Sequence, residues 1–162
     1  MPVAISRKHA LLGLGSNLGD RAAHIHAAAA ALGANVGTRL LALSPLVETA
    51  PVGCAVAQPD FLNAAAAVET SLAPEDLLAL CLAIETARGR ERPFPNAPRT
   101  LDIDLLFYEG ETRSDPRLAL PHPRWAQRDF VRRPLAALLA MPPLVTDLRW
   151  DTLRRQLAST GA

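Results

Sequence analysis

Residues 98–106 read PRTLDIDLL, a segment in which two acids alternate with aliphatic residues. In an extended strand, residues two apart project from the same face and lie ~7 Å apart along the chain. The alternation therefore predicts a strand over 101–108, with Asp102 and Asp104 on one face. Ile103 and Leu105 then project from the opposite face, where they pack inward against a core.

The acid pair has two interpretations. Two neighbouring carboxylates repel each other unless something neutralises them, and a hard divalent cation such as Mg²⁺ does so. Mg²⁺ favours a few carboxylates together with phosphate oxygens. Alternatively, both acids are solvated on an exposed strand face, which is common in antiparallel sheets. The strand pattern alone leaves both interpretations open.

Arginine is concentrated around the acid pair. Residues 88–133 contain 10 arginines and 7 acids, whereas residues 1–87 contain 4 bases and 7 acids. Arginine suits bidentate contacts with phosphate, and an Arg-rich loop beside a Mg²⁺-type carboxylate pair is what phosphoryl transfer from a nucleotide needs. A genomic bias toward arginine is the alternative explanation, because 16 of the 17 basic residues are Arg.

Strands and helices without a regular βαβ rhythm flank this segment, which predicts an α+β or layered α/β domain. The predicted strands are 9–15, 40–49, 61–70 and 101–108, and the predicted helices are 21–32, 71–88, 134–140 and 148–157. Asp20 is predicted to cap the first helix and Gly33 to end it. The strand over 40–49 is expected to have an edge or a bulge at Pro45. Residues 50–60 and 90–98 are proline-rich loops, long enough to suggest a function.

Length and composition exclude several classes of protein. The chain has 162 residues, of which 49% are hydrophobic and 20% charged, which suits one folded domain over 1–162. No uncharged apolar stretch is long enough for a transmembrane helix. A net charge of +1 and 4% aromatic residues argue against a nucleic-acid partner. Cys54 and Cys81 lack metal or disulfide spacing, so a reduced, cytoplasmic setting is expected. The glycine run over 13–19 lacks the ending of a phosphate-binding loop and is interpreted as a strand-to-helix turn.

Seven motifs follow one another along the chain in an order typical of one enzyme family. They are GLGSNLGD (13–20), QPDFLNA (58–64), APEDLL (73–78), IETARGRER (84–92), PRTLDIDLL (98–106), LPHPR (120–124) and RDFVRRPL (128–135). In these motifs the chain resembles the 6-hydroxymethyl-7,8-dihydropterin pyrophosphokinases of folate biosynthesis, over nearly all of residues 10–140. The resemblance implies a three-layer α/β/α sandwich around a mainly antiparallel sheet, related to the ferredoxin-like fold.

The resemblance also implies an activity. It is the transfer of the diphosphate group of ATP to the hydroxymethyl oxygen of the pterin, with release of AMP and the participation of two Mg²⁺ ions. The expected partners are these two small molecules, without nucleic acid or membrane, and the expected state is a monomer. The hydroxyl would attack the β-phosphorus of ATP in line, and its proton would pass to Asp102 or to an ordered water.

Individual residues acquire roles from the same resemblance. Asp102 and Asp104 correspond to the metal ligands, and together with Arg90 and Arg99 they form the implied catalytic set. The implied ATP contacts are Glu85, Arg90, Arg92, Arg99, Arg117, His122 and Arg128. The implied pterin slot consists of Thr49, Ala50, Val52, Phe61, Asn63 and Phe130. An asparagine suits the amide edge of a flat heterocycle, and aromatic rings suit its faces.

Three positions depart from the family pattern. Asn96 stands where Trp is usual, Phe61 where Tyr is common, and Pro123 where Tyr is frequent, with Phe94 as a candidate substitute for the missing Trp. From the residues alone, a non-catalytic α+β module that binds a nucleotide or an acidic partner is an alternative. A single-stranded RNA binder is another, but it needs more surface aromatics than this chain contains.

Overall fold

The acid-bearing strand lies at one edge of an antiparallel sheet. The computed structural model describes residues 6–51 and 57–160. Its strands are β1 (Lys8–Ser16), β2 (Thr38–Leu43), β3 (Val47–Thr49), β4 (Phe61–Thr70), β5 (Asp102–Tyr108), β6 (Arg113–Asp115) and β7 (Leu118–Leu120). Its α-helices are α1 (Arg21–Ala34), α2 (Pro74–Ala87), α3 (Asp129–Leu139) and α4 (Asp151–Thr160).

The main sheet has the order β2–β4–β1–β5, and β3 pairs with β4 beyond the end of β2. Every pairing in it is antiparallel. Because β4 is inserted between β1 and β2, the chain follows the split βαβ pattern of ferredoxin-like folds. β6 and β7 form a separate hairpin. The prediction of an α+β domain with a mainly antiparallel sheet is confirmed.

Helices cover both faces of the sheet, which gives the predicted three layers. One core joins alternate residues of β1, among them Leu12, to Ile25 of α1 and Leu77 of α2. The other core joins Leu11 of β1 to Leu135 and Leu138 of α3. The strand period of two therefore sends successive side chains of β1 into different cores. No helix in the described residues is long and apolar enough to cross a membrane.

Glycines in the first third of the chain have different roles from those predicted. Gly13 and Gly15 lie inside β1 and not in a turn. Asp20 caps α1 as predicted, because its side chain accepts a hydrogen bond from the backbone N–H of Ala23. The prediction that Gly33 ends the helix is wrong, since α1 continues to Ala34. A Cβ at Gly33 would lie 3.2 Å from the Cβ of Leu40, so the glycine permits close packing of α1 on β2.

The predicted strand over 40–49 is broken in two. The backbone N–H and side-chain hydroxyl of Ser44 both bond to the backbone of Ala65, at 2.8 Å each. The Ser44 hydroxyl thus replaces a strand carbonyl as the acceptor, and the ladder is interrupted at Pro45, where an edge or a bulge was predicted. β3 resumes the pairing with β4 and brings Thr49 opposite Phe61.

The C-terminal helices differ in their bounds from the prediction. α3 begins at Asp129, so Pro134 lies inside the helix and not in its first turn. A proline there costs one helical hydrogen bond. Pro134 is nevertheless buried between α3 and the sheet. α4 begins at Asp151, after a single 3₁₀ turn over Leu148–Trp150.

Gly37 offers a test of this packing. Its φ is +89°, and an added Cβ would lie 2.6 Å from the Oγ of Ser71, which donates a hydrogen bond to the Gly37 carbonyl. We expect Gly37→Ala to lower the free energy of unfolding by about 2–3 kcal/mol, from left-handed strain plus the lost hydrogen bond. Urea denaturation measures the change.

Gly110→Ala is the matched control for Gly37→Ala. Gly110 has a φ of +75° and no atom within 4 Å of an added Cβ, so only the left-handed strain applies. We expect its loss of unfolding free energy to be smaller by about 1 kcal/mol. Equal losses in the two variants would contradict the proposed contact with Ser71.

Candidate active site

A cavity of about 510 Å³ lies at the end of the sheet where β5 and β4 begin. Its walls come from β1, β3, β4, β5, the loop before β5 and the start of α3. The lining residues are Gly13, Leu14, Gly15, Thr49, Ala50, Phe61, Asn63, Ala64, Asn96, Arg99, Asp102, Asp104, Arg124, Gln127, Arg128, Phe130 and Val131. The cavity therefore brings together the acid pair, three arginines and two phenylalanine rings.

The acid pair projects from the cavity side of β5, as its alternation predicts. Ile103 and Leu105 belong to the core on the opposite face. The Oδ1 of Asp102 accepts a hydrogen bond from Arg90 Nη1 at 2.7 Å, and its Oδ2 lies 3.8 Å from Arg99 Nη1. Burial and the neighbouring Asp102 carboxylate raise the pKa of Asp104 to about 7. Asp104 is thus a carboxyl group that a nearby cation would ionise.

A third carboxylate, Glu85, lies buried beneath the start of β5. Its Oε2 accepts the backbone N–H of Ile103 at 2.8 Å and lies 3.1 Å from Arg90 Nη1. Its Oε1 accepts from Arg92 Nη2 at 2.8 Å. Burial raises the pKa of Glu85, while the Ile103 N–H and Arg90 oppose that rise. Glu85 therefore anchors both loop arginines to β5.

Arg90 and Arg92 differ in their exposure. The side chain of Arg90 is 10% exposed and bridges Glu85 and Asp102, whereas that of Arg92 is 58% exposed. Both line a second cavity of about 430 Å³ formed by residues 90–97 and Arg99. This cavity adjoins the first through Asn96 and Arg99, which line both. Phe94 lines only the second cavity, so it does not occupy a place on the wall of the first.

The other end of the main cavity is aromatic. The guanidinium carbon of Arg99 lies 5.3 Å from the centroid of the Phe61 ring, and that of Arg128 lies 5.4 Å from the Phe130 ring. Asn63 donates a hydrogen bond to the Thr49 hydroxyl at 2.6 Å. The Asn63 Oδ1 would lie 3.0 Å from a Cβ on Gly15, so glycine there leaves room for the amide. Among the residues predicted for the pterin slot, Val52 lies outside the described residues.

His122 and Arg117 do not line either cavity. Burial and the charge of Arg128 lower the pKa of His122, whose Nδ1 accepts the backbone N–H of Arg124 at 3.2 Å. His122 thus lies close to Arg124 and Arg128 but is not among the residues that line the cavities. Arg117 is exposed in the turn between β6 and β7.

Two polar residues belong to the site without having been predicted. Gln127 lines the main cavity, and Asn17, which is 1% exposed, bonds to the segment before β5. Arg124 also lines the main cavity, and the concentration of arginine around the acid pair was its sequence signal. Asn17 had a weaker signal, because it follows a buried strand inside a segment interpreted only as a turn.

The residues of the acid pair fit a magnesium ion in part. Within residues 6–51 and 57–160, no three His, Cys, Asp or Glu side chains are grouped so that they alone hold a metal. Mg²⁺ sites commonly use one or two carboxylates, with the remaining ligands from phosphate oxygens and water. Asp102 and Asp104 are a donor set of that kind, and burial together with the Asp102 charge raises the pKa of Asp104, which a bound cation would lower. They suit a metal that arrives with a phosphate.

Comparison with known proteins identifies relatives of the chain. Residues 11–140 match the family model of 7,8-dihydro-6-hydroxymethylpterin-pyrophosphokinase (HPPK). The chain is 47% identical over 149 residues to a 2-amino-4-hydroxy-6-hydroxymethyldihydropteridine pyrophosphokinase from Methylorubrum extorquens, covering 92% of the chain and 91% of that protein. It is 46% identical over 125 residues to one from Pseudomonas aeruginosa, covering 77% and 76%.

The fold also resembles a solved structure. A crystal structure of a Plasmodium falciparum HPPK-DHPS triple mutant matches with a TM-score of 0.65 at 15% identity. The match covers 95% of this chain and 45% of that one. At this identity the likeness concerns the fold alone.

The raised pKa of Asp104 predicts a pH-dependent stability. Because the folded-state pKa of about 7 exceeds the ordinary 3.8, the folded protein keeps this proton up to about pH 7, whereas the unfolded chain loses it near pH 4. Stability is therefore unaffected by this group below pH ~4 and falls as the pH rises from there through 7. We expect Asp104→Asn in EDTA to have a higher melting temperature than the wild type at pH 8. The difference should shrink toward pH 4. Asp76→Asn, at an exposed acid in the first turn of α2, is the control. A less stable Asp104→Asn protein at pH 8 would contradict the repulsion.

Proposed function

The chain belongs to the 7,8-dihydro-6-hydroxymethylpterin-pyrophosphokinase family, and on that premise we propose that it transfers the diphosphate group of ATP to the hydroxymethyl oxygen of 6-hydroxymethyl-7,8-dihydropterin. The products are the pterin diphosphate and AMP, in a step of folate synthesis. The observation that carries the proposal for this chain is one cavity with an acid pair and arginines at one end and phenylalanines with an asparagine at the other.

The aromatic end suits the pterin. Phe61 and Phe130 offer faces for a flat heterocycle, and the Asn63 amide offers a donor and an acceptor for its polar edge. Thr49 holds the Asn63 side chain through their 2.6 Å hydrogen bond, which presets the amide before substrate binds. Thr49 and Ala50 complete this part of the wall. The hydroxymethyl group of a pterin seated here would point toward the acid pair.

The charged end suits the triphosphate. Mg²⁺ held by Asp102 and Asp104 would neutralise both carboxylates and screen the phosphate oxygens. Arg99 and Arg128 already lie in the cavity wall, each over a phenylalanine ring, so they border both substrates. Arg92 and His122 are proposed to supply hydrogen-bond donors for the remaining phosphates. Arg117 is proposed as a more distant contact, because it lies in the exposed β6–β7 turn.

Arg90 is proposed to stabilise the charge that develops during the transfer. Its guanidinium is held between Glu85 and Asp102, at 3.1 and 2.7 Å. A cation placed at the start of β5 by two carboxylates does not need to be reoriented far to contact a phosphate beside Asp102. Catalysis in this site comes from positioning and charge stabilisation, both of which are large effects when the groups are preorganised.

Three broader features of the enzyme are also proposals. The enzyme is proposed to be a monomer, and 1–162 is proposed as one catalytic domain. A cytoplasmic setting is supported by Cys81, a free buried thiol. Sedimentation equilibrium of the purified protein tests the monomer directly.

The central test is a coupled assay of AMP release from ATP that depends on 6-hydroxymethyl-7,8-dihydropterin. We expect the wild-type protein to release AMP only when the pterin is present. Asp102→Ala and Asp104→Ala should each lower kcat by at least about a hundredfold, because each removes a metal-binding carboxylate. Asp76→Ala, at an exposed acid of α2, should retain the wild-type rate.

Calorimetry separates an enzyme from a simple nucleotide-binding module. ATP should bind more weakly in EDTA than with Mg²⁺, and this difference should vanish in Asp102→Ala. Equal binding with and without Mg²⁺, together with a near-wild-type rate in either acid variant, would contradict the assignment of the acid pair.

Arg90→Ala tests the proposed role of the buried arginine. We expect kcat to fall by about tenfold to a hundredfold while the Kd for ATP changes much less, because the guanidinium acts mainly on transition-state charge. The melting temperature should also fall, since Glu85 loses one of its two arginine partners. Arg155→Ala, at an exposed position of α4, is the control. A weaker Kd with an unchanged kcat would contradict this role.

A further inference from the structure

A continuous chain of hydrogen bonds crosses the site next to Arg99. The backbone N–H of Arg99 donates to Asn17 Oδ1 at 2.8 Å, and Asn17 Nδ2 donates to Gln58 Oε1 at 2.8 Å. Gln58 Nε2 then donates to the backbone carbonyl of Asn96 at 2.7 Å. We call this set, Asn17 and Gln58 with the two backbone groups they bridge, the amide relay.

The direction of the amide relay is determined by its two ends. A backbone N–H can only donate, so Asn17 must present its oxygen to Arg99. A backbone carbonyl can only accept, so Gln58 must present its NH₂ group to Asn96. The two amide side chains are then left with one way to bond to each other, which is the one observed. Neither side chain can flip without breaking a bond at its end.

Asn17 is also tied to its surroundings independently of the relay. Its side chain is 1% exposed, its Nδ2 lies 3.2 Å from the carbonyl oxygen of Pro59, and its backbone N–H donates to the Arg99 carbonyl at 3.1 Å. It directly follows β1, the central strand that pairs with both β4 and β5. The relay therefore fastens residues 96–99 to the end of an internal strand of the sheet.

The segment fastened in this way carries a functional arginine. The Arg99 guanidinium lies over Phe61 and 3.8 Å from Asp102, so it joins the aromatic end of the cavity to the acid pair. Asn96 has a φ of +57°, a left-handed conformation that asparagine tolerates better than bulkier residues. The backbone geometry of residues 96–99 thus determines the position of the Arg99 Cα atom, from which the side chain extends.

We propose that Asn17 and Gln58 are positioning residues of the transfer reaction, which act by holding the backbone of Asn96 and Arg99 so that the Arg99 guanidinium lies between the pterin and the triphosphate. The proposal rests on the proposed function. In the relay, Asn17 determines the position of Arg99, and Gln58 determines the position of Asn96 and supports Asn17.

Gln58→Glu is the sharpest single variant. A carboxylate at 58 can still accept from Asn17 Nδ2, but it cannot donate to the Asn96 carbonyl, which it repels instead. Gln58 is only half-buried, so we expect an unchanged melting temperature with kcat lowered by about tenfold or more, since small misplacements of catalytic groups are costly. The KM for ATP should change less than kcat. Asn35→Ala, at the far end of α1, is the matched amide control.

Asn17→Asp examines the other half of the relay. The aspartate keeps an acceptor for the Arg99 N–H but loses the NH₂ group that donates to Gln58 and Pro59. A kcat within threefold of the wild type in both Gln58→Glu and Asn17→Asp would overturn the proposal. If activity falls only in variants whose melting temperature also falls, the proposal is overturned as well, because the relay would then stabilise the fold without positioning Arg99.

A double-mutant cycle shows whether the relay acts through Arg99. Arg99→Ala removes the guanidinium on which the relay is proposed to act. Adding Gln58→Glu to the Arg99→Ala enzyme should therefore change the single-turnover rate of that enzyme by less than about twofold. If the double variant loses rate by the product of the two single-variant factors, Gln58 acts independently of Arg99 and the proposal fails.

Hydrogen exchange gives a readout that does not depend on the reaction. Gln58→Glu should increase deuterium uptake in residues 92–99 and leave the peptides of α4 unchanged. Unchanged deuterium uptake in residues 92–99 would show that the amide relay does not hold this segment in place, and it would overturn the proposal. Absence of pterin-dependent AMP release by the wild type, with increased uptake in the variant, would instead reject the proposed function and retain the fastening.

Discussion

The repulsion between carboxylates at the start of β5 is the constraint on which the rest of the site depends. Asp102 and Asp104 share one face, and Glu85 is buried beneath the same strand. Three acids so close together are tolerated only with compensating positive charge. Arg90 supplies it by bridging Glu85 and Asp102. Among the described residues, no cation lies equally close to Asp104. Its pKa is raised first by burial and then by the Asp102 charge, which this deficit of positive charge leaves partly uncompensated.

This deficit explains why the same residues suit a metal-bound nucleotide. The segment 88–133 carries 10 arginines and 7 acids, so the positive charge around the pair exceeds what the acids alone require. An arrangement of that kind accepts a cation at the carboxylates and anionic phosphates at the arginines, so that both are neutralised together. The fold contributes the space for them. Gly13 and Gly15 of β1 lie beside Asp104 and Asp102 and present no side chain to the cavity.

Local pattern was sufficient to predict most strands, the acid pair and the arginine-rich segment, because each depends on residues close together in sequence. The bounds of α1 and the break at Ser44 were not predictable in this way. Gly33 lies inside the helix because Leu40 packs against it, and Ser44 ends β2 because its hydroxyl bonds to Ala65. Asn17 is the clearest case, since its partner Arg99 is 82 residues away. A contact of such separation leaves no trace in the local pattern.

The departure at Asn96 from the usual tryptophan has a physical consequence that the structure makes definite. Phe94 does not replace the missing ring in the main cavity, because its side chain lies in the second cavity and is 43% exposed. The contact that holds residue 96 is instead made by its backbone carbonyl, to Gln58. This contact uses only main-chain atoms of residue 96, while the φ of +57° at that position favours asparagine over a bulkier residue. The loop before β5 therefore has asparagine in place of an aromatic residue and still places Arg99 over Phe61, with the main chain of residue 96 bonded to Gln58.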